Sequence, residues 1–149
     1  MSVDNTVPDG FIGTAPRADF FDLQHWPIVF VRFPELDELD RVQGVLDGLG
    51  SILDQQQPFV AVWTPASHDH DDEPHEDEKT SNIWIKNHRD ALNTYCRGYV
   101  YVTRDEALGA LLTKRIGTIM GRLFKFPMEV VQTREATIVT AQKMLDQIS

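Results

Sequence analysis

Apolar residues follow two alternating patterns along the chain: short unbroken runs, and longer stretches in which they recur every three or four positions. The short runs are rich in β-branched and aromatic residues, which is typical of strands buried in a sheet. They predict strands over residues 20–23, 28–33, 59–63, 99–102 and 128–131. A proline directly precedes three of these runs, at a strand start where its missing N–H is tolerated. These prolines are Pro27, Pro58 and Pro127.

The longer stretches predict four helices. In the first of them the apolar residues are spaced three, four, three and four apart, so they share one helical face. These residues are Leu39, Val42, Leu46, Leu49 and Leu53. The four predicted helices cover residues 37–54, 82–97, 105–123 and 133–148.

Residues at the ends of these stretches predict where each helix begins or stops. Asp37, Thr80 or Ser81, and Thr133 are suited to N-caps, and Gly98 is suited to ending the second helix. Two glycines, Gly44 and Gly48, lie inside the first helix, where each costs about 1 kcal/mol relative to alanine. Close packing against the sheet would explain them, and so would simple tolerance in an otherwise strong helix.

The element order β-β-α-β-α-β-α-β-α predicts an α/β fold with a mixed, mainly parallel sheet of four to five strands and four helices. The first strand is short and is free to add antiparallel at an edge. Residues 20–149 form a single predicted domain, preceded by a flexible lead-in, residues 1–19. Residues 65–79 contain no aliphatic side chain larger than alanine and are predicted to be a mobile loop.

This order of elements resembles the STAS fold of anti-sigma-factor antagonists, and in particular the bacterial SpoIIAA-like proteins. The residues that carry the resemblance are Trp84-x-Lys86-x-x-Arg89 with Leu92, then Cys96-Arg97-Gly98-x-Val100-x-Val102, then residues 127–136. The resemblance implies a non-catalytic regulatory domain that binds other proteins. It also implies a phosphorylated serine near the start of the helix after the third strand, where the matching hydroxyls are Ser67, Thr80 and Ser81. Seven nearby carboxylates oppose a phosphate there by like-charge repulsion.

Composition and charge narrow the classes of function. The chain has 149 residues, 42% of them hydrophobic and 25% charged, which is a globular composition. Its net charge of −9 argues against nucleic acid or an anionic membrane as the main partner. The first residues show no secretion signal, so the expected location is the cytoplasm.

The segment from His68 to Lys79 carries seven acidic residues, one lysine and three histidines. Imidazoles among carboxylates suit Zn²⁺ or Ni²⁺, so His68, His70 and His75 are candidate metal ligands. A solvated, charge-rich insertion without a ligand is the simpler interpretation. A third interpretation is that the segment docks a basic protein partner, with Asp71, Asp72 and Glu73 at its centre.

A basic segment balances this acidic one. Residues 97–125 carry six basic and two acidic residues, among them Arg115, Arg122 and Lys125. Such an asymmetry of charge favours a homodimer in which the basic segment of one copy meets the acidic segment of the other. An ordinary solvated helix face explains the basic segment as well.

No catalytic residues are predicted. The single cysteine, Cys96, is expected on the inner side of its helix as a small core residue. The sequence also lacks the common nucleotide-binding, hydrolase and metalloprotease motifs.

The predicted function is that of a cytoplasmic regulatory or adaptor domain, or of an immunity-type inhibitor, that binds a protein partner. Trp84, Lys86 and Arg89 are the predicted contact residues on the second helix, because Trp and Arg are frequent interface anchors. The alternatives are a divalent-metal-binding protein and a small-molecule or lipid-binding domain with a pocket between sheet and helices.

Overall fold

The computed structural model describes residues 7–38, 40–65, 75–116 and 124–146. In these residues strands and helices alternate as the sequence predicts, which confirms the α/β fold class. The strands are β1 (Phe21–Asp22), β2 (Ile28–Arg32), β3 (Phe59–Thr64), β4 (Cys96–Val102) and β5 (Met128–Val131). The helices are α1 (Arg41–Leu53), α2 (His75–Tyr95), α3 (Glu106–Arg115) and α4 (Arg134–Asp146).

The strands form one sheet in the order β1-β2-β3-β4-β5. The short strand β1 pairs antiparallel with β2, and every later pair is parallel. The prediction of a mainly parallel sheet with an antiparallel edge is therefore confirmed.

Side chains alternate between the two faces of this sheet. Val31, Trp63 and Tyr101 lie side by side across β2, β3 and β4 and belong to the larger core cluster, which also takes residues from α1 and α2. On the other face Phe30, Val62 and Val100 form the matching row, which packs against Ala141 and Met144 of α4. Right-handed crossovers between strands in sequential order bring all connecting helices to one face, so only α4 is left for the other.

Helix α1 begins later than predicted. Its N-cap is Asp40, with a left-handed backbone (φ 51°), so Asp37 as the cap is wrong. The two glycines of α1 are explained by close packing, because a Cβ on Gly44 would meet the ring of Phe20 at 2.8 Å. A Cβ on Gly48 would overlap the ring of Phe21.

Helix α2 begins earlier than predicted, at His75 rather than at residue 82. Residues 75–79 are therefore helical, and Thr80 and Ser81 lie inside the helix instead of capping it. Glu76, Asp77 and Glu78 occupy the first turn, where the helix dipole stabilises negative charge.

Helix α2 also ends earlier than predicted, at Tyr95, and β4 starts directly afterwards at Cys96. Gly98 as the residue that ends the helix is therefore wrong, and Cys96 lies on a central strand. Cys96 pairs with Phe59 of β3, and a Cβ on Gly98 would overlap the Met144 side chain of α4. The glycine thus permits α4 to approach the sheet.

The other two helices have capping side chains at their starts, of which Thr133 was predicted and is confirmed. Asp105 accepts a hydrogen bond from the backbone N–H of Leu108 (3.0 Å), and Thr133 Oγ1 accepts one from that of Ala136 (3.0 Å). Helix α3 ends at Arg115. The predicted continuation to residue 123 lies largely outside the described residues.

The described part of the lead-in is attached to the domain. Gln55, which is buried, accepts a hydrogen bond from the backbone N–H of Ile12 and donates one to its carbonyl, both at 2.8 Å. The nearby Phe11 contacts the ring of Trp26 edge-on, with centroids 6.5 Å apart.

Candidate interaction surface on the second helix

The predicted site residues divide into two groups. Ser67, His68, His70, Asp71, Asp72 and Glu73 lie outside the described residues. The remaining predicted residues all lie on α2: His75, Thr80, Ser81, Trp84, Lys86 and Arg89.

Trp84 belongs to the inner side of α2. It is half-buried and packs against the larger core cluster. Its indole stacks on the His88 ring, with centroids 4.0 Å apart and planes within 14°. The Nδ1–H of His88 donates to the Trp84 carbonyl at 2.7 Å, because a carbonyl can only accept. These contacts fix the orientation of Trp84.

Lys86 and Arg89 are exposed on α2. Residues two positions apart on a helix project in nearly opposite directions, so Lys86 points away from the side that Trp84 occupies. The structure therefore brings Lys86 and Arg89 together but not Lys86 and Trp84. Whether any of the three contacts a partner stays a prediction.

The exposed side of α2 contains residues that sequence reasoning missed. Ile83 is 51% exposed and lies between Lys79 and Lys86, at spacings of four and three. We call these three residues, together with Asn82, the outer α2 face. With His75 and Glu78 they line a shallow depression of about 370 Å³. The spacing of Lys79, Ile83 and Lys86 can be read from the sequence, but it indicates a shared helix face only if residue 79 is helical. The sequence pattern places residues 65–79 in a loop, so it does not indicate this face.

Thr80 and Ser81 occupy the second turn of α2, where Thr80 is exposed and Ser81 is half-buried. Backbone N–H groups are unbonded only in the first turn of a helix, so a phosphate here would not be bound by a helix N-terminus. Phosphorylation of these residues, as the STAS resemblance implies, stays a prediction.

The first turn of α2 is connected to α1 through a buried arginine. The Arg41 side chain is 9% exposed, and its Nη1 donates to Asp77 Oδ2 at 2.9 Å. Arg41 also donates to the carbonyls of Glu35 (2.8 Å) and Pro34 (3.1 Å). Because Arg41 and Asp77 are 36 positions apart, no local sequence pattern reveals this contact.

Cys96 has the properties of a core residue. It is 1% exposed, and its Sγ lies 3.3 Å from the Gly98 carbonyl, to which it donates. Burial raises the pKa of the Cys96 thiol to about 12. The thiolate, which is the nucleophilic form, is therefore scarce at neutral pH.

The metal prediction lies mostly outside the described residues. Within the described ranges, no group of three His, Cys, Asp or Glu residues is placed to hold a metal ion. His75 is exposed at the start of α2, while His68 and His70 are not described. A Zn²⁺ or Ni²⁺ site formed by these histidines stays a prediction.

A second depression, of about 510 Å³, lies near the amino ends of β2 and β3. It is lined by Trp26, Pro27, Gln57, Pro58, Gln142 and Leu145. This depression is open to solvent and lies away from the predicted site residues of α2.

The basic segment is described only in part. Lys125 lies beyond α3, where its backbone N–H donates to Asn93 Oδ1 of α2 at 2.8 Å. Lys114 and Arg115 lie in the last turn of α3, and Arg122 is outside the described residues. The homodimer that the charge asymmetry favours stays a prediction.

Comparison of the chain with protein-family models, with curated proteins and with solved structures finds no match in any of the three. The resemblance to the STAS fold is thus neither supported nor contradicted. None of the helices in the described part of the chain has the length and apolarity needed to cross a membrane.

Proposed function

We propose that this protein is a non-catalytic regulatory or adaptor domain that binds a protein partner through the outer α2 face. The observation that carries the proposal is the exposure of Ile83, which is 51% accessible between Lys79 and Lys86. An apolar centre with a charged rim is the usual composition of a protein–protein contact site.

The setting of the outer α2 face supports this use. Trp84 and Leu92 pack α2 onto the core from the opposite side of the helix. Ile83 is therefore presented from a fixed backbone, and a partner need not order that backbone on binding. The two lysines can keep their charged ends in water while their aliphatic stems border Ile83.

The acidic residues that precede α2 add a charge contribution to the proposal. Asp71, Asp72 and Glu73 precede the helix along the chain, and Glu76 lies in its first turn. Such a concentration of negative charge would accelerate the approach of a basic partner, and salt would weaken the effect. The resemblance to STAS-like regulators is consistent with a partner-binding role and a cytoplasmic location.

The test is an affinity capture from host lysate that compares wild type with Ile83→Asp and Val139→Asp. Val139 is a matched control, because it is 55% exposed and lies on α4 at the other face of the sheet. We expect Ile83→Asp to lose a captured protein that both wild type and Val139→Asp retain. Equal capture by all three proteins, or equal loss in both variants, would contradict docking at Ile83.

A further inference from the structure

The first turns of α2 differ from the rest of the helix in how they are held. Within residues 75–80, Asp77 and Glu78 are half-buried and the other four residues are exposed. The hydrophobic residues of α2 that pack against the core begin only at Trp84. The start of the helix therefore depends on polar contacts rather than on buried apolar area.

The Arg41–Asp77 ion pair joins this segment to α1. Arg41 is held in place by the carbonyls of Pro34 and Glu35, so its guanidinium is already positioned to receive the carboxylate. Asp77 is 32% exposed, which leaves it accessible to water and to other cations. A charged hydrogen bond of this kind stabilises strongly when buried and weakly when competing groups can reach it.

We infer that residues 75–80 form a latch, a helical segment that opens and closes independently of the sheet and is held closed by the Arg41–Asp77 pair. With the pair made, Asp77 extends α2 to His75 and places Lys79 beside Ile83. Without the pair, the helix shortens to begin at about Ser81 and Lys79 leaves the outer α2 face, while Ile83 and Lys86 remain on it.

The consequence for binding rests on the proposed function of the outer α2 face. A cationic group of a partner that competes with Arg41 for Asp77 would open the latch. The latch would thereby regulate how much of the face is available, by shifting an equilibrium between two forms of the helix start.

Amide hydrogen exchange on the isolated chain tests the latch without a partner. In a helix the N–H groups of residues 79–82 bond to the carbonyls of residues 75–78, so their exchange rates report opening of this segment. We expect Asp77→Asn to raise these rates about tenfold or more, with unchanged exchange in β3 and β4. Asp90→Asn is the control, because it removes the same charge from an exposed position of α2.

Three results would overturn the latch. They are unchanged exchange at residues 79–82 in Asp77→Asn, an equal rise in Asp90→Asn, and a rise spread over the sheet. Urea unfolding of Asp77→Asn gives the second measurement, and a loss of global stability that matches the rise in exchange would also overturn the latch. None of these results bears on capture through Ile83, so the two proposals fail separately.

Discussion

Gly48 lies beneath the ring of Phe21, whereas a Cβ on Gly50, two residues further along α1, would meet no described atom within 4 Å apart from its chain neighbours and the adjacent backbone of its own helix. The two positions share a helix but differ in packing. At Gly50 alanine gains the helix propensity that glycine lacks, up to about 1 kcal/mol. At Gly48 the same gain is opposed by overpacking, which typically costs about 1–3 kcal/mol.

We therefore expect Gly48→Ala to destabilise the protein and Gly50→Ala to leave it unchanged or stabilise it. Urea unfolding of both variants beside wild type measures the difference. Equal stability of the two variants would contradict this prediction. It would mean that the ring of Phe21 can move away from α1 without an energetic cost.

Glu38 is the second residue whose behaviour can be predicted. Hydrogen bonds from Arg32 at 2.6 and 2.9 Å, with one from the Glu35 backbone N–H, lower the pKa of Glu38 to about 2. Because the pKa is lower in the folded state, the pair stabilises the protein above the ordinary Glu value of 4.5, and this contribution is lost as the pH falls toward 2. The pair is partly exposed, so salt weakens it.

The corresponding variant is Glu38→Gln. Its stability, measured by urea unfolding, should fall short of wild type at neutral pH and approach that of wild type as the pH is lowered from 4.5 toward 2. A constant gap across this pH range would mean that Arg32 does not stabilise the ionised form of Glu38.

At the scale of single elements, the N-cap of α4 gives a direct test of a local sequence signal. Thr133→Ala removes the hydrogen bond to Ala136 N–H and should cost about 1 kcal/mol. Thr113→Ala is the matched control, because Thr113 is exposed inside α3 and its hydroxyl donates back to the Gly109 carbonyl of its own helix. Alanine is the better helix former there, so thermal unfolding should show no loss. A similar loss in both variants would contradict the capping role of Thr133.

The contrast between α4 and α2 shows what the sequence alone can predict. The cap of α4 depends on residues three positions apart, and the strands depend on runs of adjacent apolar residues, so local patterns are enough for both. The start of α2 contacts Arg41 of α1, and its end is followed directly by the pairing of Cys96 with Phe59 and the approach of Met144 to Gly98. These contacts join distant parts of the chain, which is why both boundaries of α2 were predicted wrongly.

The same limitation affected the candidate site. The sequence groups Trp84, Lys86 and Arg89 because Trp and Arg are frequent interface anchors, but helical geometry and burial separate Trp84 from Lys86. Ile83 and Lys79 enter the surface only once residues 75–79 are helical. The helix boundary therefore decides which residues share a face with Lys86, while contact of Trp84, Lys86 and Arg89 with a partner stays a prediction.

At the scale of the whole molecule, the central strand β4 has core clusters on both of its faces, and Cys96 lies at its start. Local opening of residues 75–80 leaves this strand covered. A thiol reagent can reach Cys96 only when the sheet itself opens, because burial both excludes the reagent and raises the pKa of the thiol.

Cys96 can therefore distinguish global unfolding from the local opening proposed for α2. We expect a disulfide-exchange reagent to label native protein very slowly at neutral pH and to label it completely in urea. Ile83→Cys in a Cys96→Ala background is the control and should react at once, because position 83 is exposed. In Asp77→Asn, Cys96 should be labelled no faster than in wild type, even though the amides of residues 79–82 exchange faster. Rapid labelling of Cys96 in Asp77→Asn would show that loss of the Arg41 contact opens the sheet as well, so that α2 and the core unfold as one unit.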